Sequence, residues 1–300
     1  MRFQDIVDAV TKASPLQDKA LRPYLAGRDK VFWERAEGFT RTYGTWMASK
    51  GWGAADMAGA YNRMCAEFVS EQMKFLRTGR YSCRSLEEAQ RTVYQDGERM
   101  RTYMLGLALS QFLWPNHYAI LDFYLRFLRS QAPRVTRHLE VGAGHGLFLI
   151  EALRQTPRAR HSVVDLSPTS LDLSRELCTQ EGLTHPSFQL ADFLDLPADG
   201  GHDLVVMGEV LEHTEKPVEL LEKLRSVLAR DGRAFVTTCS NCPAIDHIAQ
   251  FESLDEIRSL MSTCGFTILE ELALPVDERG EQDPDSGLPQ LGHNWAGVLS

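Results

Sequence analysis

Residues 138–147 read His138-Leu139-Glu140-Val141-Gly142-Ala143-Gly144-His145-Gly146-Leu147, and this run decides the fold. The buried-strand pattern Arg137–Val141 leads straight into three glycines at alternate positions, and an apolar helical pattern follows from about Leu147. Glycine tolerates positive φ and lets the backbone approach a ligand closely, while a helix amino terminus offers unpaired N–H donors. A small polar or negatively charged molecule is therefore expected on this turn.

The pattern continues outward from there. His161–Leu166, Phe188–Ala191 and Asp203–Met207 read as the next strands, with Ser167–Pro168 opening a helix between the first two. Val218–Leu228 reads as a helix, Asp231–Gly232 as a turn and Ala234–Thr238 as a fifth strand. Ser253 with Glu256 caps a further helix that ends near Gly265. Phe266–Leu274 and Trp295–Leu299 form a final strand pair, separated by a polar loop at Asp277–Gly292. Alternating strands and helices predict an α/β fold with a mostly parallel sheet.

The composition breaks near residue 133. Of 27 aromatic residues, 20 lie in residues 1–133, where 19 Lys and Arg face 14 Asp and Glu; residues 134–300 hold 13 against 27. Two domains are expected, 1–133 and 134–300. The first reads as helices: Ala55, Ala58, Tyr61, Met64, Cys65 and Phe68 share one helical face, Ser85 and Glu88 form a capping box, and Pro115 starts a helix carrying Tyr118, Leu121, Phe123, Tyr124, Phe127 and Leu128. Its aromatic residues pack a helical core or wall a pocket over the second domain.

A dinucleotide site wants G-x-G-x-x-G, but Leu147 stands where the third glycine belongs. The spacing is instead E-x-G-x-G-x-G, and residues 134–300 resemble the class I S-adenosylmethionine-dependent methyltransferases of the small-molecule type. That resemblance implies a doubly wound, Rossmann-like methyltransferase sheet, preceded here by an all-helical domain acting as a lid that sets substrate specificity. It implies that Glu140 faces the ammonium end of S-adenosylmethionine, with the methionine part against Gly142, Ala143 and Gly144. Asp165, followed by Leu166, would accept the ribose hydroxyls, a role both this family and the dinucleotide-binding proteins give to an acid there. Asp192 would take the exocyclic amine of adenine and Phe193 a face of its ring.

Gly208-Glu209-Val210-Leu211-Glu212-His213 resembles the E-x-x-E-H segment of such enzymes. On a helical turn Glu209, Glu212 and His213 would share one face. His213 suits a general base, and the two glutamates could clasp an amine or guanidine acceptor. A divalent metal on the three, with His247 as a further ligand, is a minority reading, and no metal is expected. Cys239-Ser240-Asn241-Cys242 lacks a second pair of ligands and reads as two small buried side chains rather than a zinc or redox site. Asn241, Asp246, His247, His117 and Tyr118 are further candidates for acceptor contacts.

The expected function is methyl transfer from S-adenosylmethionine to nitrogen or oxygen of a small molecule, giving S-adenosylhomocysteine. The rival is a noncatalytic adenosyl-ligand sensor whose helical half binds a partner. A net charge of −9 argues against nucleic acid as partner, and the longest apolar stretch, Tyr103–Trp114, argues against a membrane span. Asp5 and Asp8 interrupt any signal-peptide core, and six cysteines are too sparse for a disulfide scaffold, so a cytoplasmic location is expected. A homodimer through the helical domain is a further expectation.

Overall fold

The computed structural model describes residues 1–183, 186–276 and 289–300. Seven helices come first: α1 (Phe3–Ala13), α2 (Pro15–Ala26), α3 (Lys30–Ser49), α4 (Ala54–Thr78), the short α5 (Leu86–Ala89), α6 (Gly97–Leu113) and α7 (Pro115–Gln131). Their ends follow local chemistry. The Asp29 carboxylate caps α3 on Phe32 N, Ser85 caps α5 on Glu88 N, and Pro115 occupies the first turn of α7. α6 is buried on nearly every side. Gly106 permits this, because a Cβ there would lie 2.9 Å from Met64 Cβ on α4.

Between α5 and α6 the chain widens into one π turn, Gln90–Tyr94. Such turns reorient side chains that a regular helix would place elsewhere.

The sheet follows, with strands β1 (Arg137–Val141), β2 (Arg160–Asp165), β3 (Ser187–Leu190), β4 (His202–Gly208), β5 (Leu228–Cys239), β6 (Ile268–Pro275) and β7 (His293–Leu299). Their order is β3-β2-β1-β4-β5-β7-β6, with β1 to β5 parallel and β7 antiparallel between β5 and β6. The expected strands and their order in the chain are all present. β5 starts earlier than Ala234, because Leu228 pairs with His202 and Arg233 with Leu204. The intervening Asp231–Gly232 turn is thus a bulge within the strand rather than a break before it. Residues 277–288 of the loop expected at Asp277–Gly292 lie outside the described residues.

Alternate side chains of the parallel strands serve two cores. Leu139, Val141, Val164, Val205 and Met207 face α10 (Pro217–Val227) and α11 (Leu254–Thr263). Val163, Leu204, Val206 and Phe235 share one continuous apolar cluster with α8 (Leu147–Gln155), α9 (Pro168–Gln180), α1 to α4, α6 and α7. Phe123, Tyr124 and Phe127 of α7 gather around Phe235 at centroid distances of 5.6, 5.0 and 5.6 Å. The helical half is therefore packed onto the sheet through ring contacts. Strand order reverses between β1 and β4, and open α/β sheets bind ligands in the crevice at the strand ends there. No helix among the described residues is long and apolar enough to cross a membrane.

Candidate functional site

A cavity of about 1310 Å³ opens at those strand ends and runs under the helical half. Its floor is the glycine turn. Gly142, Gly144 and Gly146 have φ of 78°, 49° and 79°, so each needs the left-handed region that glycine enters freely. A Cβ on Gly142 would lie 2.7 Å from Val210 Cγ2, on the wall facing β4. Glu140, Ala143, Asp165, Leu166, Asp192 and Phe193 all border this end of the cavity. The Asp165 carboxylate also stabilises the turn, accepting from Gly144 N at 3.3 Å and Ser167 N at 2.7 Å. Asp192 Oδ1 accepts from Leu194 N at 2.9 Å, which fixes the turn that carries Phe193.

Glu140 is 3% exposed and its Oε2 has no hydrogen-bond partner. Burial drives its carboxyl pKa well above the usual range. Behind it stands His138, whose Nε2 lies 3.5 Å from Glu140 Oε2 and also lacks a partner. His138 and His161 are register partners on β1 and β2, with Nδ1 atoms 3.0 Å apart. His161 Nε2 donates to Thr156 O at 3.0 Å, since a carbonyl only accepts. Its Nδ1 is then the acceptor, His138 Nδ1 carries the proton, and His138 Nε2 presents a lone pair to Glu140. Burial and neighbouring imidazoles hold His138 well below its ordinary pKa, which fits this neutral chain.

The second end of the site lies after β4. Glu209 takes a positive φ of 52°, so the segment does not begin as a helical turn. Glu209 Oε1 accepts from Thr237 Oγ1 at 2.6 Å, and a single 3₁₀ turn, Leu211–His213, follows. The three polar side chains therefore stay near one another but do not all face the cavity. Glu209 and His213 border the cavity, whereas Glu212 is fully buried behind its wall. Glu212 Oε2 accepts from Thr238 Oγ1 at 2.8 Å, its Oε1 has no partner, and burial beside Glu209 raises its pKa strongly. The expectation that all three share one face is corrected: the left-handed backbone at Glu209 breaks the helical register.

His213 Nδ1 donates to Asp246 O at 3.1 Å and lies 3.2 Å from Tyr94 Oη, while Tyr94 Oη donates to Asp246 Oδ2 at 3.2 Å. Its Nε2 is thereby left as the basic nitrogen. The His247 ring stands perpendicular to it at 4.8 Å, with Nδ1 donating to Cys242 O at 2.6 Å. Donor atoms of Glu212, His213 and His247 all lie within 4.8 Å of one another, as do those of Glu209, Glu212 and Cys239.

Two further imidazoles look into the cavity. Burial lowers His117 to about 3 and His145 to about 4, so both are neutral near pH 7. Of the other candidates, Asp246 and His247 border the cavity, whereas Asn241 turns away to Glu252 O and Gln250, and Tyr118 pairs with Arg35. Cys239 and Cys242 are both buried and free. Sequence reasoning misses Tyr94 and His145 as site residues. His145 lies inside the glycine run, which is a usable signal, but Tyr94 owes its place to the π turn.

A family model described as a methyltransferase domain matches residues 139–234. Over 157 residues the chain is 29% identical to EEF1A lysine methyltransferase 2 of Homo sapiens, covering 49% of this chain and 61% of that protein. Over 110 residues it is 32% identical to a ubiquinone biosynthesis O-methyltransferase of Xanthomonas campestris pv. campestris (strain B100), covering 36% and 45%. The chain thus spans about half the length of these curated relatives. Its fold is similar to that of the N-methyltransferase NodS from Bradyrhizobium japonicum WM9 in complex with S-adenosylhomocysteine, at TM-score 0.50 and 20% identity, covering 69% of this chain and 96% of that one. The matched residues, about a third of the chain, carry β1 to β4, the glycine turn and the Glu209–His213 segment, and over them the chain is similar to a methyltransferase domain.

Proposed function

We propose that the protein transfers a methyl group from S-adenosylmethionine to an oxygen or nitrogen of a small molecule. The observation that carries this reading is one continuous cavity joining the glycine turn to His213. Its volume, about 1310 Å³, exceeds the roughly 300–1,000 Å³ of an ordinary single-ligand pocket, which suits a donor and an acceptor side by side. The residues at the glycine end fit the donor: a buried carboxyl at Glu140 with Oε2 unpartnered, the left-handed Gly142 and Gly144, and the apolar Leu166 and Phe193 for a purine. The sulfonium supplies a methyl group already activated for transfer. The protein's own task is to align the acceptor and take one proton. His213 Nε2 takes that proton, and Asp246 with Tyr94 holds the ring by its Nδ1–H.

The sensor reading finds less support, because no aromatic ring is among the large exposed apolar side chains of the described residues. Calorimetric titration should give binding of S-adenosylmethionine and S-adenosylhomocysteine and none of NAD. Methyl-labelled donor should then turn over on some member of a panel of phenols, amines, guanidines and carboxylic acids. Binding without any turnover would return the protein to the sensor class.

A second reading keeps the reaction but adds a divalent cation. It is favoured by the clustering of donor atoms from Glu212, His213 and His247, and by the anchoring of both imidazoles through Nδ1 to backbone carbonyls, the usual outer support of metal-bound histidine. Dialysis against EDTA should leave turnover unchanged if His213 acts as a base. It should abolish turnover, with recovery on adding Mg²⁺, Mn²⁺ or Zn²⁺, if the cluster holds a metal.

A further inference from the structure

The charges around the cavity are sharply divided. Its bordering carboxylates, Glu140, Asp165, Asp192, Glu209, Glu215 and Asp246, all come from the sheet-bearing half. Residues 1–133 contribute no Asp, Glu or Arg to the described lining, and Lys19 is their sole lysine. What they do contribute is an arm between α2, α4 and α6, walled by Leu21, Tyr61, Cys65, Phe68, Tyr103 and Trp114.

Two polar side chains of that wall are tied to each other and to Gln17. Trp114 Nε1 donates to Tyr61 Oη at 2.9 Å, and Tyr61 Oη donates to Gln17 Oε1 at 3.4 Å. The Cys65 thiol is pushed up to about 11 by burial and is neutral at pH 7. Phe68 stacks on Tyr103 at 6.3 Å and 15°, and meets Trp114 edge-on at 5.3 Å. An occupant of the arm therefore meets mainly ring faces and methylenes, while Lys19, Gln72 and Gln111 are polar side chains of this half that also border the cavity. Leu16 and Val69 border the cavity yet are 82% and 54% exposed, so the arm reaches solvent between α2 and α4.

We propose that the methyl acceptor is elongated, with its nucleophilic atom beside His213 and an uncharged aromatic or hydrocarbon body lying in this arm. The proposal deepens the methyl-transfer reading and rests on it for the placement of the donor at the glycine end. Charge explains the division of labour. A cationic donor is stabilised among the carboxylates, whereas a cation held inside the arm, short of its open mouth, would lose hydration without gaining a carboxylate. An apolar body there gains from every methylene removed from water.

The test uses the full chain and 4-alkylphenols from propyl to octyl, titrated with and without S-adenosylhomocysteine. Affinity should rise about threefold to fourfold per methylene. 4-(6-Aminohexyl)phenol, which places an ammonium in the arm, should bind at least about tenfold more weakly than 4-hexylphenol. Ala20→Trp, which narrows the arm beside α2, and Val69→Trp, at its exposed mouth, should each flatten the chain-length series while binding S-adenosylhomocysteine as the unmodified protein does. A flat series in the unmodified protein, an unchanged series in both variants, or equal binding of the aminohexyl and hexyl phenols overturns the proposal. Failure of S-adenosylhomocysteine to bind overturns the methyl-transfer reading instead, and the chain-length series still decides the character of the arm.

Discussion

His213→Ala is expected to lower turnover by about 10²–10⁴-fold, the usual worth of a positioned proton acceptor, while the affinity for S-adenosylhomocysteine stays unchanged. The two readouts separate because the donor is assigned to Glu140 and the glycine turn, whereas His213 is assigned to the acceptor's proton. The loss should appear in kcat rather than KM, since proton removal matters only as the nucleophile attacks. Tyr94→Phe and Asp246→Asn test how the ring is held. Each leaves the imidazole and its bond to the Asp246 carbonyl in place but weakens the Tyr94–Asp246 support, so a fall of about fivefold is expected from one hydrogen bond worth roughly 1 kcal/mol. Unaltered kcat in His213→Ala, with cofactor binding intact, would remove the general-base assignment.

The difference between what the sequence predicts and what the fold contains has local physical causes. β1 and the glycine turn are legible because period-two burial and glycine spacing are both backbone constraints written in consecutive residues. Asp165 and Asp192 are legible for the same reason, one ending β2 and the other following β3 by two residues. Tyr94 is not, because it lies 119 residues from His213 and its direction depends on one π turn. Glu212 is misplaced by any reading that carries helical dihedrals through Glu209, whose φ of 52° no spacing rule anticipates. The arm is hidden for a third reason. Tyr61, Cys65 and Phe68 recur at helical intervals whether they fill a core or line a cavity, and only the packing of α2 and α6 against α4 distinguishes the two.

Glu140→Gln is the sharpest test of the donor end. Before any ligand binds, the Glu140 carboxyl is buried next to a neutral His138 and holds its proton well above the ordinary glutamate range. Because the folded pKa lies above the unfolded one, this group's contribution to stability is full below the ordinary value of 4.5 and is lost as pH rises through the raised value. The substituted amide cannot ionise, so the variant should lack that decline and melt at the same temperature or higher at neutral pH. Binding reverses the balance. An ammonium beside Oε2 favours the carboxylate, and the displaced proton must leave, so titrations with S-adenosylhomocysteine in buffers of different ionisation enthalpy should show release approaching about one proton. The variant should release none, and should bind about 10–100-fold more weakly, because a charge-assisted hydrogen bond worth roughly 1.5–3 kcal/mol becomes a neutral one. A structural glutamate gives a different pair of results: lower stability on substitution, with cofactor affinity and proton release both unmoved. Lost affinity together with retained or improved stability is the combination that only a carboxyl held in reserve for a cationic ligand produces.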